Sequence, residues 1–251
     1  MLAVEGLSKS FGGVAAINDI TLQFAPGSLT AIIGPNGAGK TTFFNLISGA
    51  IRPDRGRVML FDEDIVGLPP TQIVRRGIAR AFQVASIFPS LTVEAILTAT
   101  VQAHMGRSER IMRRFPLQEC RDRAFEAMRM LGLSDKATVL SLNLSHGDQK
   151  LLDIGLALVL EPRVLLLDEP TAGMGPEERW QMIEKVRELW ARQNITLVFI
   201  EHDMDIVFKI AESIRVLCYG RVLAEGTPSQ IRGNPEVIAA YLGTSQETDL
   251  S

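Results

Sequence analysis

The stretch that most constrains what this chain can fold into is Gly34-Pro35-Asn36-Gly37-Ala38-Gly39-Lys40-Thr41-Thr42. It follows an apolar run at residues 29–33 that reads as a buried strand, and it precedes residues 43–47, which read as the first turns of a helix. The spacing G-x-x-x-x-G-K-[ST] in a strand-to-helix setting is the P-loop pattern. A triphosphate carries several negative charges. Glycines let consecutive backbone N–H groups point inward without a Cβ in the way, and the new helix contributes its positive dipole end. In that pattern Lys40 reaches the β- and γ-phosphates and Thr41 offers its hydroxyl to Mg²⁺.

A second pattern lies downstream, Val164-Leu165-Leu166-Leu167-Asp168-Glu169. An apolar strand ending in two carboxylates places them at the carboxyl edge of a parallel sheet, where open α/β sheets bind ligands. Asp168 fits the role of holding Mg²⁺ through water, and Glu169 that of orienting and deprotonating an attacking water.

Composition sets the limits of this reading. The 251 residues are 46% hydrophobic and 22% charged, which is ordinary globular usage with room for a substantial core. A net charge of −3 supplies no global basic field for nucleic acid. Cys120 and Cys218 form no C-x-x-C and suggest free thiols in a reducing compartment. The N-terminus carries no secretory pattern, and no stretch approaches the roughly 18 to 20 apolar residues of a membrane span. The chain is therefore expected to be soluble by itself and to reach a membrane only through a partner.

Periodicity and turn residues predict an α/β chain. Short strands are expected at residues 2–7 and 20–24, separated by a polar loop at 8–13 that carries Phe11. The strand at 28–33 delivers the P-loop, and the helix after it ends at Gly49. A strand at 57–61, a helix at 70–77 and a strand at 78–82 lead to Gln83. Residues 84–139 read as a helical insertion, with Thr92 capping a helix through Met105, a basic segment at 107–114, and a helix at 117–131 stopped by Gly132. The alternation resumes with a helix at 148–160, a strand at 163–167, a helix at 176–193 and a strand at 195–200. A helix at 203–211, strands at 214–218 and 221–225, and terminal helices at 227–231 and 235–242 follow. Residues 1–243 are expected to form a single domain, with a frayed tail from Thr244.

A P-loop and an Asp-Glu strand end are shared by kinases, helicases, GTPases and transport ATPases. Leu144-Ser145-His146-Gly147-Asp148 sits at a helix start just before the acidic strand. It resembles the L-S-G-G-Q signature of ATP-binding cassette (ABC) proteins. Gln83 is similar to that family's Q-loop glutamine, His202 to its switch histidine, and Phe11 to the aromatic that stacks on adenine. Their order around the two stronger motifs extends the resemblance over nearly the whole chain, from Leu2 to Leu242.

The resemblance implies a P-loop NTPase fold, with an ABC core of mostly parallel sheet, an N-terminal antiparallel β subdomain and an inserted α-helical subdomain. It implies ATP and Mg²⁺, the nucleotide lying between two head-to-tail cassettes so that one signature helix caps the phosphates on the other P-loop. Residues 34–42, Phe11 and Gln83 would bind ATP in cis, and Ser145 and Gly147 would serve the partner's ATP. Thr41, Gln83 and Asp168 would attend the metal, with Glu169, His202 and Lys40 catalytic.

This sequence departs from the family pattern at His146, at Asp148 and at Gly175, where many cassettes carry an aspartate. An acid at Asp148 opposes a γ-phosphate unless it turns away to cap the helix. Together with Thr171-Ala172-Gly173-Met174-Gly175-Pro176, Glu201-His202-Asp203-Met204 and the tail at 234–243, these departures resemble the ATPase subunits of bacterial branched-chain amino-acid importers, a group that includes urea and short-amide importers. The partners so implied are permease subunits, a second ABC ATPase and, indirectly, a periplasmic or extracellular substrate-binding protein, with the chain peripheral on the cytoplasmic face of the inner or plasma membrane and no nucleic acid involved. The tail is shared in part with the lipopolysaccharide-export ATPase, and a soluble ABC protein remains a further alternative.

Overall fold

In the computed structural model, residues 1–81, 88–106 and 118–245 are described. Along the chain these residues form β1 (Leu2–Phe11), β2 (Val14–Phe24), β3 (Leu29–Ile33), α1 (Lys40–Ile47), β4 (Arg55–Leu60), β5 (Glu63–Asp64) and α2 (Pro70–Arg76). Next come β6 (Ile78–Ala81), α3 (Val93–His104), α4 (Gln118–Leu131), α5 (His146–Leu158), β7 (Val164–Asp168) and α6 (Pro176–Gln193). The last are β8 (Thr196–Ile200), α7 (Met204–Ile210), β9 (Ser213–Cys218), β10 (Arg221–Gly226), α8 (Pro228–Arg232) and α9 (Pro235–Ser245). Short 3-10 turns occupy Ser134–Lys136 and Ser141–Asn143. The chain divides into two compact units, Met1–Ile73 with Asn194–Ser251, and Val74–Gln193.

The first unit contains an antiparallel sheet, β2-β1-β4-β5, and a sheet segment in the order β10-β9-β3-β8. β3 runs parallel to both β8 and β9, with Ile32 opposite Ile200 and Arg215. All residues of β3 and β8 are buried, as expected for continuous apolar strands covered on both faces. Phe24 and Phe43 meet in the core with ring centroids 6.4 Å apart, so α1 packs its apolar face against β2.

In the second unit β6 and β7 pair in parallel, Arg80 opposite Leu166. α3, α4 and α5 pack around Leu97, Ala124, Met128 and Leu131, all buried. Thr92 caps α3 by accepting from the Ala95 N–H at 3.2 Å, as its sequence position predicts. A Cβ at Gly155 would lie 2.7 Å from Leu131 Cδ1, so glycine lets α5 approach α4 closely.

One expectation is corrected. Residues 8–11 are the end of β1, not a loop: β1 and β2 form one long hairpin that turns at Gly12 and Gly13, both at positive φ. Its tip is solvent-exposed on both faces, which removes the apolar alternation that marks a strand. α9 ends at Ser245, and the rest of the expected tail lies outside the described residues. Gln83 and the basic segment at 107–114 lie outside the described residues. Among the described residues no helix is long and apolar enough to cross a membrane.

Candidate functional site

The P-loop is built by β3, which ends at Ile33, and α1, which begins at Lys40. Gly34, Gly37 and Gly39 have φ of 151°, 76° and 99°, conformations that residues with side chains rarely adopt. A Cβ on Gly39 would stand 2.5 Å from the Ala16 carbonyl oxygen, and one on Gly34 2.0 Å from that of Leu217. Both glycines are therefore required by close backbone approach. The loop is also pinned from outside, because the Gly220 N–H donates to the Ala38 carbonyl at 3.1 Å. Tyr241 on α9 hydrogen-bonds the Gly34 backbone; burial nevertheless pushes its phenol up to about 12.

Lys40 is buried, and its ammonium donates to the Gly34 carbonyl at 2.7 Å and the Pro35 carbonyl at 3.0 Å. The loop's own backbone thus holds the cation in place. Gly39 caps α1 without a side-chain bond, and the first turn carries no acid. The helix N-terminus is left to an external anion, which fits a phosphate group. Thr41 is exposed in that first turn, with Asn36 and Gly37 exposed on the loop.

Asp168 closes the buried strand β7 and is itself buried. Its Oδ2 accepts from Arg80 Nη2 at 2.6 Å, both side chains being under 10% exposed. Glu169, half-buried, follows at φ 48°. A non-glycine residue in that region costs roughly 1–3 kcal/mol, a strain that clusters at functional positions. The Asp168 carboxylate is a hard oxygen donor, of the chemistry that suits Mg²⁺. Among the described residues no cluster of three or more His, Cys, Asp or Glu side chains could hold a metal ion by itself.

His202 follows β8 and is exposed, and Asp203 beside it caps α7 by accepting from Asp205 and Ile206 N–H groups. Phe11 is also exposed, at 49%, with the Lys9 ammonium 5.5 Å from its ring centroid. An uncovered ring at a hairpin tip is available for stacking.

The signature region differs from its sequence reading in one respect. Ser145, not Asp148, is the N-cap of α5, accepting from the Asp148 N–H at 3.2 Å. The Asp148 carboxylate accepts from the Ser145 hydroxyl at 2.6 Å and from Lys136 at 2.7 Å. Burial raises its pKa, but the Lys136 and Ser145 hydrogen bonds outweigh burial and hold it below the usual value. His146 Nε2 lies 3.1 Å from the Ala172 carbonyl, tying the start of α5 to the 171–175 loop. Gly147 has open space where a Cβ would stand, so this part of the helix end is accessible.

Sequence reasoning missed Arg80, Lys136, Asp153 and Tyr241. An arginine inside the apolar strand Ile78–Ala81 was a usable signal; Lys136 had none, because its partner is 12 residues away on another element. Burial pushes the Asp153 carboxyl up to about 7, with Lys150 and His146 opposing, and its Oδ2 has no hydrogen-bond partner among the described residues.

Comparison with known proteins matches residues 17–172 to the ABC transporter family and residues 221–247 to the branched-chain amino acid ATP-binding cassette transporter family. The chain is 41% identical to the high-affinity branched-chain amino acid transport ATP-binding protein LivG of Escherichia coli, over 97% of this chain and 98% of that protein. It is 37% identical to BraF of Pseudomonas aeruginosa, a protein of the same description, with the same coverage of each. Among solved structures, a nucleotide-free ATP-binding cassette from an ABC transporter is similar at TM-score 0.84 and 31% identity, covering 96% of this chain and 98% of that one. A cassette in its ADP conformation is similar at TM-score 0.86 and 31% identity, covering 97% and 98%.

Proposed function

Because this chain belongs to the ABC transporter family as an ATP-binding subunit of the LivG and BraF type, we propose that it hydrolyses ATP to drive a membrane permease importing branched-chain amino acids. The observation that carries the hydrolytic half of this reading is the α1 N-terminus, which is free of acids and side-chain caps and has Lys40 held over the loop. The transport half rests on likeness to LivG and BraF along almost their full length, including the C-terminal segment.

In this mechanism the backbone N–H groups of residues 34–42 bind the phosphates, Lys40 neutralises charge on them, and Phe11 stacks on the base. Thr41, Gln83 and Asp168 attend Mg²⁺, which when bound neutralises charge developing on the phosphate oxygens. Glu169 orients the attacking water and takes its proton, and His202 contacts the γ-phosphate. Ser145 and Gly147 face the nucleotide of a second cassette, whose closure excludes water from the reacting atoms.

A membrane partner needs a surface on this chain. Phe88, Leu91, Leu140 and Leu142 are all exposed, and backbone bonds join their two segments, with Ser141 N–H donating to the Leu91 carbonyl at 3.0 Å. These exposed apolar side chains support the reading of a protein-docking surface, which this proposal gives to the permease.

The Glu169→Gln variant tests the reading. It should bind ATP with wild-type affinity while hydrolysis falls about 10²- to 10⁴-fold, the usual contribution of a general base. Hydrolysis at near wild-type rate by this variant would remove Glu169 from the role.

A further inference from the structure

The second unit holds an arginine where an apolar strand pair would take another aliphatic residue. Arg80 lies opposite Leu166 in the parallel β6–β7 ladder, and Asp168 is two residues further along β7 on the same face. Two residues of strand advance about 6.6 Å, a distance that an extended arginine can cover. The side chain does cover it: the Arg80 guanidinium donates to Asp168 Oδ2 at 2.6 Å in a buried setting. Asp168 also lines a small cavity together with Lys150 and Asp153, both buried. The Asp168 carboxylate is therefore compensated by Arg80 directly and shares the cavity with a second cation, Lys150. A free divalent cation gains little from a carboxylate that is already neutralised, and it is repelled by the guanidinium.

We propose that Arg80 is a positioning residue that fixes Asp168 by one oxygen and prevents metal from binding there until a nucleotide brings its own negative charge. The inference rests on the reading of Asp168 as an Mg²⁺ residue. It makes Arg80 the reason that metal and nucleotide enter together, with the metal-free carboxylate held in place by a protein cation. Arginine suits this task because it stays charged.

Mn²⁺ binding followed by the paramagnetic resonance of the free ion, in the absence of nucleotide, tests this directly. Wild type should take up Mn²⁺ weakly, and Arg80→Gln should bind it about ten-fold or more tightly. The gain should vanish in Arg80→Gln/Asp168→Asn. Arg80→Met, which fills the same space without charge, serves as the second neutral variant. If neither neutral variant folds by circular dichroism, Arg80→Leu, aliphatic like the neighbouring strand residues, serves as the third. Unchanged or weaker Mn²⁺ binding in a folded Arg80 variant overturns the proposal. Failure of the underlying reading looks different: on adding ATP, wild type would then take up no Mn²⁺ beyond that chelated in a protein-free ATP control, or Asp168→Asn would leave the excess intact.

Discussion

Two helix N-termini in this protein start from the same physics and end differently. α1 is capped by Gly39 with no side-chain bond and no acid in its first turn, so its backbone N–H groups and dipole remain available to a phosphate. α5 is capped by Ser145 and carries Asp148 in its first turn, where the acid is held by the Ser145 hydroxyl and by Lys136. One end carries no acid and the other carries an anion of its own. The difference teaches that α1 presents an N-terminus with no acid of its own, whereas α5 carries an acid that Lys136 and the Ser145 hydroxyl offset.

The largest expected effect comes from closing the open end. Gly39→Ala places a Cβ 2.5 Å from the Ala16 carbonyl at φ 99°, so it should cost roughly 2–3 kcal/mol of stability and lower ATP affinity about 100-fold. Thermal melts and nucleotide titration measure both, and unchanged affinity would break the comparison at α1.

A smaller effect is expected within α5, whose two acids have opposite fates. Asp148 is held charged at the N-terminus, while burial pushes Asp153 up to about 7. With its folded pKa above the unfolded value of 3.8, Asp153 retains a proton that the unfolded chain has lost. Its contribution to stability therefore falls as pH rises from about 4 to about 7 and is flat above that. Discounted for partial solvent contact, the change is about 2 kcal/mol. Asp153→Asn should flatten the melting profile across this window and gain on wild type at pH 8; an identical profile would show that burial does not govern this carboxyl.

The smallest effect concerns the Lys136–Asp148 pair, whose side chains are 33% and 16% exposed. Lys136→Met should cost about 1 kcal/mol in wild type and much less in an Asp148→Gln background. A double-mutant cycle that shows additivity would mean that Lys136 does not offset the acid.

The contrast also marks what the sequence made legible. The P-loop could be read because its parts are contiguous: strand, glycines, lysine and helix follow one another in order, and each dictates its neighbour's backbone. The Val164–Asp168 strand and the helices bounded by Thr92, Gly132 and Pro176 were legible for the same local reason. The Arg80–Asp168 pair spans 88 residues and the Lys136–Asp148 pair 12, so neither has a periodic or capping signal. The hairpin tip at residues 8–13 was misread because both of its faces meet solvent, and β5 is only two residues long. Asp148 was recognised as a departure, but its neutralisation depends on a turn that only the packed helices bring near.

Calorimetric titration of ATP with Mg²⁺ into the wild-type chain, Lys40→Ala and Asp148→Gln tests the difference between the two helix ends most directly. If α1 alone holds the nucleotide, Lys40→Ala should lose about 100-fold in affinity, because a charge-assisted contact is removed, while Asp148→Gln should bind as wild type does. Retained affinity in Lys40→Ala, or an equal loss in both variants, would contradict the account.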